Sequence, residues 1–177
     1  NFFPAVIFPD SEMQILNYNR AVKDLNGLSE EEFLKRLEAG FENTPSPGGK
    51  AYQPETHGRF GMLLAGRWHA LTARPGIRHP YDPIASLDVS ILQDSLLAPI
   101  LGIQDPRTDM RIDFVGGIRG TDELEKRVGS GAYAVAFSMS PTTVAELMAI
   151  ADAGETMPPK STWLEPKLRS GLFVHRF

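Results

Sequence analysis

Apolar positions recur along this chain with two periods, and each change of period marks a new element. Residues 2–8 are an apolar run interrupted by Pro4, which predicts a strand at an edge or an early position. A turn at Pro9-Asp10-Ser11-Glu12 leads into residues 13–22, a second strand expected to run antiparallel to the first. Ser29 and Glu32 then form a capping box. The helix they open carries Phe33, Leu34 and Leu37 on one face and stops at Gly40. Residues 43–49 (Asn-Thr-Pro-Ser-Pro-Gly-Gly) read as a surface loop with the composition of a flexible hinge. Residues 59–73 read as a hairpin turning at Ala65-Gly66, with Phe60, Met62 and Leu64 alternating on one arm and Trp68, Ala70 and Thr72 on the other.

The second half of the chain alternates strands with helices. Asp82 as N-cap and Pro83 at the first turn predict the longest helix, with Leu87, Ile91, Leu92, Leu96, Leu97 and Ile100 on a broad apolar face and Pro99 at its end. Met110, Ile112 and Phe114 alternate with polar residues as in a half-buried strand. A glycine-rich turn at residues 116–120 leads to a short helix capped by Thr121. Residues 132–137 lack both charge and alternation, the pattern of a strand covered on both faces. Ser140-Pro141 opens a helix with Val144, Leu147, Met148 and Ala151 on one face, ended by Gly154, and residues 171–177 are expected to be a last strand. Strand pairs followed by alternating strands and helices predict a single α+β domain spanning residues 1–177, a mostly antiparallel sheet with flanking helices.

Composition narrows the class. The 177 residues are 42% hydrophobic and 23% charged, ordinary for one well-cored domain. A net charge of −4 with no dense basic cluster argues against nucleic acid as a partner. The absence of cysteine excludes disulfides, thiolate catalysis and cysteine-based zinc sites, and fits a cytoplasmic protein. No run approaches the ~18 apolar residues of a membrane span, so no membrane partner is expected. The chain enters a hydrophobic run almost at its first residue, which reads as a piece of a longer protein. Homo-oligomerisation is left open.

Near the end, Gly154-Glu155-Thr156-Met157-Pro158-Pro159-Lys160-Ser161 comes within one residue of a phosphate-binding P-loop. Such a loop works by aiming backbone N–H groups at phosphate oxygens, and two prolines remove two of those donors. A helix also precedes the segment where a strand is required, so the match is rejected. What remains is a stiff extended connector whose side chains Lys160, Ser161, Thr162 and Lys167 are candidates for lining a polar cleft that takes a phosphate or carboxylate.

Other candidate chemistry is weaker. The turn at residues 116–120 sits where anions bind, but Asp122 and Glu123 already occupy the positive end of the following helix. His57, His69, His79 and His175 form no metal-ligand spacing, so no metal is expected, and His69 is expected to face solvent. A Ser–Lys dyad from Lys167 with Ser161 or Ser170 has no sequence support. Asp88 and Asp94 lie about 120° off a common helix face, and Asp88 reads as a polar contact at a helix start.

The segment 154–172 resembles the closing signature of the prokaryotic family known as domain of unknown function 1015. Further words agree: Ala5-Val6-Ile7-Phe8-Pro9, Ile15-Leu16 with Asn19-Arg20, Leu87-Asp88-Val89-Ser90-Ile91-Leu92 and Pro141-Thr142-Thr143. Tyr18 and Asn17 stand where relatives often carry Pro-Thr-His before the arginine. The resemblance implies that this chain is the C-terminal half of a protein over twice its length. Upstream, that family carries an Asp-Gly-His-His-Arg word similar to the partition-protein-B and sulfiredoxin superfamily, which includes nucleotide-dependent free-serine kinases. That word is absent here. The main expectation is therefore a C-terminal module without activity or cofactor of its own, whose partner is its missing N-terminal half. The alternative is the substrate-binding half of a nucleotide-dependent small-molecule kinase, with the nucleotide bound by the full-length protein.

Overall fold

In the computed structural model, which describes residues 5–7, 9, 12–165 and 171, the chain folds as a single α+β domain. The strands are β1 (Gln14–Leu16), β2 (Tyr18–Val22), β3 (Phe41–Pro45), β4 (Arg59–Leu64), β5 (Arg67–Ala73), β6 (Ile112–Gly116), β7 (Val135–Met139) and β8 (Trp163–Glu165). The helices are α1 (Glu30–Leu37), α2 (Asp88–Leu92), α3 (Asp122–Gly129) and α4 (Val144–Asp152). Six strands make one sheet in the order β3-β5-β4-β7-β2-β6, with every neighbour antiparallel, and β1 pairs with β8 beside it. No helix among the described residues is long and apolar enough to cross a membrane.

Alternation along the strands sorts the core into two layers. Phe60, Met62 and Leu64 of β4 and Val135, Phe137 and Met139 of β7 pack with α1, α2 and the turns that follow α2. Leu63, Ala136 and Ala21 face the other way, against Trp68, Val115 and Leu124 of α3. β7 lies inside the sheet and is buried at every position, as expected for a run without charge or alternation. It starts three residues later than expected. Ala132 is exposed and Ala134 half-buried, and the Ala134 N–H bonds the Val22 carbonyl just ahead of the ladder.

The hairpin forms as expected. Ala65 and Gly66 both hold positive φ, 48° and 74°, the geometry of a type I′ turn, which matches the twist of the flanking strands. The capping box at Ser29 and Glu32 is complete, and Phe33 and Leu37 are fully buried beneath it.

Four expectations change. Residues 43–45 of the expected loop are in β3, an edge strand on β5, where Pro45 is tolerated because its missing donor faces outward. The long helix does not begin at Asp82. That carboxylate accepts from the N–H groups of Ile84 and Ala85 and closes a turn, and α2 begins only at Asp88 after the extended Leu87. Beyond Leu92 the helix widens to a π-turn over Gln93–Leu97, still burying Leu96 and Leu97. Residues 13–22 are two strands split at Asn17, which serve different sheets. The apolar stripe of α4 is turned outward: Ile150 is buried, while Val144 and Met148 are 42% and 52% exposed. Gly171 of the expected last strand is in a turn, and the rest of that strand and most of the one at 2–8 lie outside the described residues.

Candidate functional site

β2 carries Arg20 on the face that looks toward α2, and the side chain is only 4% exposed. Its guanidinium donates to the Tyr18 carbonyl and, at 3.0 Å, to the Lys160 carbonyl. It also sits 4.9 Å from the centre of the Phe114 ring. No carboxylate among the described residues pairs with it. Burial away from water pushes its pKa down to about 9, outweighing an opposing influence of Tyr18.

Arg20 forms part of the wall of a cleft of about 500 Å³. Val89, Ser90, Gln93 and Asp94 line it from α2 and the π-turn, and Pro158 and Pro159 line it from the closing segment. π-Turns widen a helix locally and recur at functional sites. Arg107 at the same cleft is already neutralised, since Asp105 accepts from its Nε and Nη2 at 3.0 Å each. A neighbouring cleft of about 580 Å³ shares Pro106, Arg107 and Pro159 and adds Lys23, Tyr133 and Lys160.

The four candidates of the closing segment are placed differently. Lys160 has left-handed backbone (φ 54°), its carbonyl accepts from Arg20, and its ammonium lies 5.6 Å from the Tyr18 ring centre. Ser161 is 3% exposed and donates to the Pro158 carbonyl, while its own carbonyl accepts from Thr142 Oγ1. Thr162 is half-buried, and Lys167 lies outside the described residues. Residues 153–162 run as turns and coil from α4 into β8, the reverse of a strand–loop–helix P-loop. The glycine-rich turn is a 3₁₀ turn over Gly117–Arg119, and Asp122, Glu123 and Glu125 fill the first turn of α3.

A second cluster escaped the sequence reading. Asp88, 4% exposed, accepts from the Gly58 N–H at 2.7 Å and from Ser140 Oγ at 2.6 Å. His57 Nδ1 lies 3.5 Å from Asp88 and 3.4 Å from Glu146. These separations are long for hydrogen bonds, so charge attraction is the better description. Asp88 first, then Glu146, raises the His57 pKa, which outweighs the opposing effects of partial burial and of Arg78. His57 and Asp88 are 31 positions apart and meet only because β4 and α2 pack together, so spacing carried no signal. His69 is half-buried against Asn43 Oδ1 at 3.0 Å rather than facing solvent, and desolvation lowers its pKa. No group of three or more His, Asp or Glu side chains among the described residues is placed to hold a metal ion.

The sign of the His57 shift sets a pH dependence. A pKa raised by folding adds stability that is complete below the unfolded value and is lost as pH rises through the folded one. Wild-type protein is expected to exceed His57→Gln in denaturation midpoint at about pH 6, with the gap closing by about pH 9. A gap that does not change with pH contradicts the contact.

The fold and cleft define an antiparallel α+β domain with a buried cation at the wall of a ligand-sized hollow. The chain belongs to the family described as protein of unknown function DUF1015, whose model matches residues 1–90. No curated protein matches it significantly. Two structures of a free serine kinase in complex with AMP share its fold, each at 16% identity with a TM-score of 0.51, covering 88% of this chain and 55% of the kinase chain. A conserved hypothetical protein from Pyrococcus furiosus aligns at 15% identity and a TM-score of 0.49, covering 88% of this chain and 57% of its own. The chain thus spans little more than half the length of the structures it matches.

These matches correct the reading of the chain as the family's C-terminal half. That reading starts from residues 154–172 as a closing signature, whereas the family model lies on residues 1–90, the first half of the chain. The partner expected as a missing N-terminal half falls with it, and so does the description as an inactive C-terminal module.

Proposed function

We propose that this chain is the ligand-binding half of a nucleotide-dependent small-molecule kinase, with its ligand in the cleft beside Arg20. One observation carries the reading: a buried guanidinium without a carboxylate partner among the described residues, at a hollow of about 500 Å³ between the sheet, the π-turn and the closing segment. Hollows of this size suit small molecules, and a few convergent polar groups in an otherwise apolar wall orient them. The fold shared with a kinase crystallised with AMP supports a nucleotide as one ligand. Lys160, Ser161, Thr162 and Lys167 remain the proposed contacts of the closing segment, with Lys160 lining the neighbouring hollow and its carbonyl accepting from Arg20.

The test is thermal denaturation and calorimetric titration of the chain with AMP, ADP and L-serine. A ligand present at 100 times its Kd is expected to add about 2.7 kcal/mol of stability. Absence of binding by all three at millimolar concentration sinks the kinase reading.

A further inference from the structure

We infer that the Arg20 cleft is an oxyanion receptor, in which the Arg20 guanidinium and the Ser90 hydroxyl bind a phosphate or carboxylate group of a small-molecule ligand. The inference rests on reading this cleft as the ligand site, but it does not depend on kinase chemistry.

A guanidinium has five N–H donors in a fixed fork. Arg20 uses its Nη1 and Nη2 groups on two carbonyls, of Tyr18 and Lys160. Carbonyls satisfy hydrogen bonds, but they do not cancel a full charge. The Phe114 ring face offers only a quadrupole. Burying a cation without a counter-charge is among the more expensive things a fold does, and a chain without need of the charge gains by placing an apolar side chain there. The other charges at the cleft do not relieve it. Asp105 is committed to Arg107, and Asp94 is exposed and in no ion pair among the described residues.

Ser90 supplies the second donor. It lies on α2 at the same cleft, is 8% exposed, and its hydroxyl has no hydrogen-bond partner among the described residues. The Gln93 amide is committed, because its Nε2 group donates to the carbonyls of Ile103 and Gln104, while Gln104 spends one of its two N–H groups on the Ala98 carbonyl. Besides the exposed Asp94 carboxylate and the second N–H of Gln104, the cleft therefore presents one open cation and one open hydroxyl. That pair is complementary to an oxygen anion, with the guanidinium fork able to engage two oxygens. The bond from Arg20 to the Lys160 carbonyl ties the closing segment to the same receptor.

Inorganic phosphate and acetate are the probes, titrated into the full chain with Nε-labelled arginine and followed by NMR and by melting temperature. The expected result is a saturable shift of the Arg20 Nε–H signal with at least one of the two anions. It should weaken at least tenfold in Ser90→Ala and vanish in Arg20→Met. Arg20→Met is further expected to melt no lower than wild type in anion-free buffer, because it removes a buried unpaired charge. Phosphate also stabilises proteins generally by exclusion from their surface, so the rise in melting temperature is read as the difference between wild type and Arg20→Met. Equal stabilisation of both, with an unmoved Arg20 signal, overturns the receptor. Should Arg20→Met fail to fold, Ser90→Ala and the Arg20 signal decide alone. Response to phosphate but not acetate assigns a phosphoryl group, and the reverse assigns a carboxylate. Binding of either anion without binding of AMP, ADP or L-serine leaves the receptor standing and removes the kinase reading.

Discussion

Ala136→Asp is expected to lose about 4 kcal/mol or more, a large part of the 5–15 kcal/mol that holds a typical domain together. Ala136 is fully buried in the interior strand β7, between Ala21 of β2 and Leu63 of β4. Its side chain faces the layer formed with Trp68, Val115 and Leu124. That layer is built of apolar side chains, so a carboxylate among them must either stay ionised without a partner there or take up a proton and remain short of hydrogen bonds. Ala134→Asp is the control. The sequence pattern places both alanines in the strand, but Ala134 is half-buried and precedes it, and its substitution is expected to cost far less. Urea unfolding of the two variants reads the difference directly. An Ala136→Asp protein within about 1 kcal/mol of wild type removes β7 from the interior.

Gly61→Ala is the second large effect, and nothing in the sequence announces it. Gly61 sits in β4 beside Ser138 of β7. A Cβ built there overlaps both the Tyr52 carbonyl oxygen and the Ser138 hydroxyl and comes within 3.1 Å of the Trp68 ring. Ser138 Oγ donates to that same carbonyl, so the added methyl intrudes on an existing hydrogen bond. The obstruction includes backbone next to an interior strand and cannot swing aside as the end of a flexible side chain does. The expected loss is about 3 kcal/mol, at the upper end of overpacking costs. Thermal unfolding followed by tryptophan fluorescence measures it, and a Gly61→Ala variant melting with the wild type contradicts the close approach.

The candidate site was legible in the sequence only in part. The closing segment drew attention through its prolines and lysines, and Pro158 and Pro159 line the Arg20 cleft while Lys160 lines the neighbouring one. Arg20 appeared only as one letter of a family word. A single arginine in a strand is ordinary, and its significance comes from 4% exposure without a paired carboxylate, which is a property of packing. The same holds for His57 and Asp88. Each is unremarkable in its local window, and the buried contact between them exists because β4 and α2 are brought together.

Local physics settled what local physics controls. The capping box at Ser29–Glu32 closes within four residues, and so does the Ala65-Gly66 turn; a second box, Thr143–Glu146, opens α4 a few residues past the Ser140-Pro141 start expected from the sequence. Their hydrogen bonds or dihedral demands are met inside the window that encodes them. The absence of charge through residues 135–137 likewise determined that a strand there is covered on both faces. Tertiary structure decided the rest. It chose the strand order, widened the helix after Leu92 into a π-turn, turned the apolar stripe of α4 outward, and buried Arg20 against a cleft. Those outcomes depend on which distant surfaces meet, and burial and charge compensation are fixed only when they do.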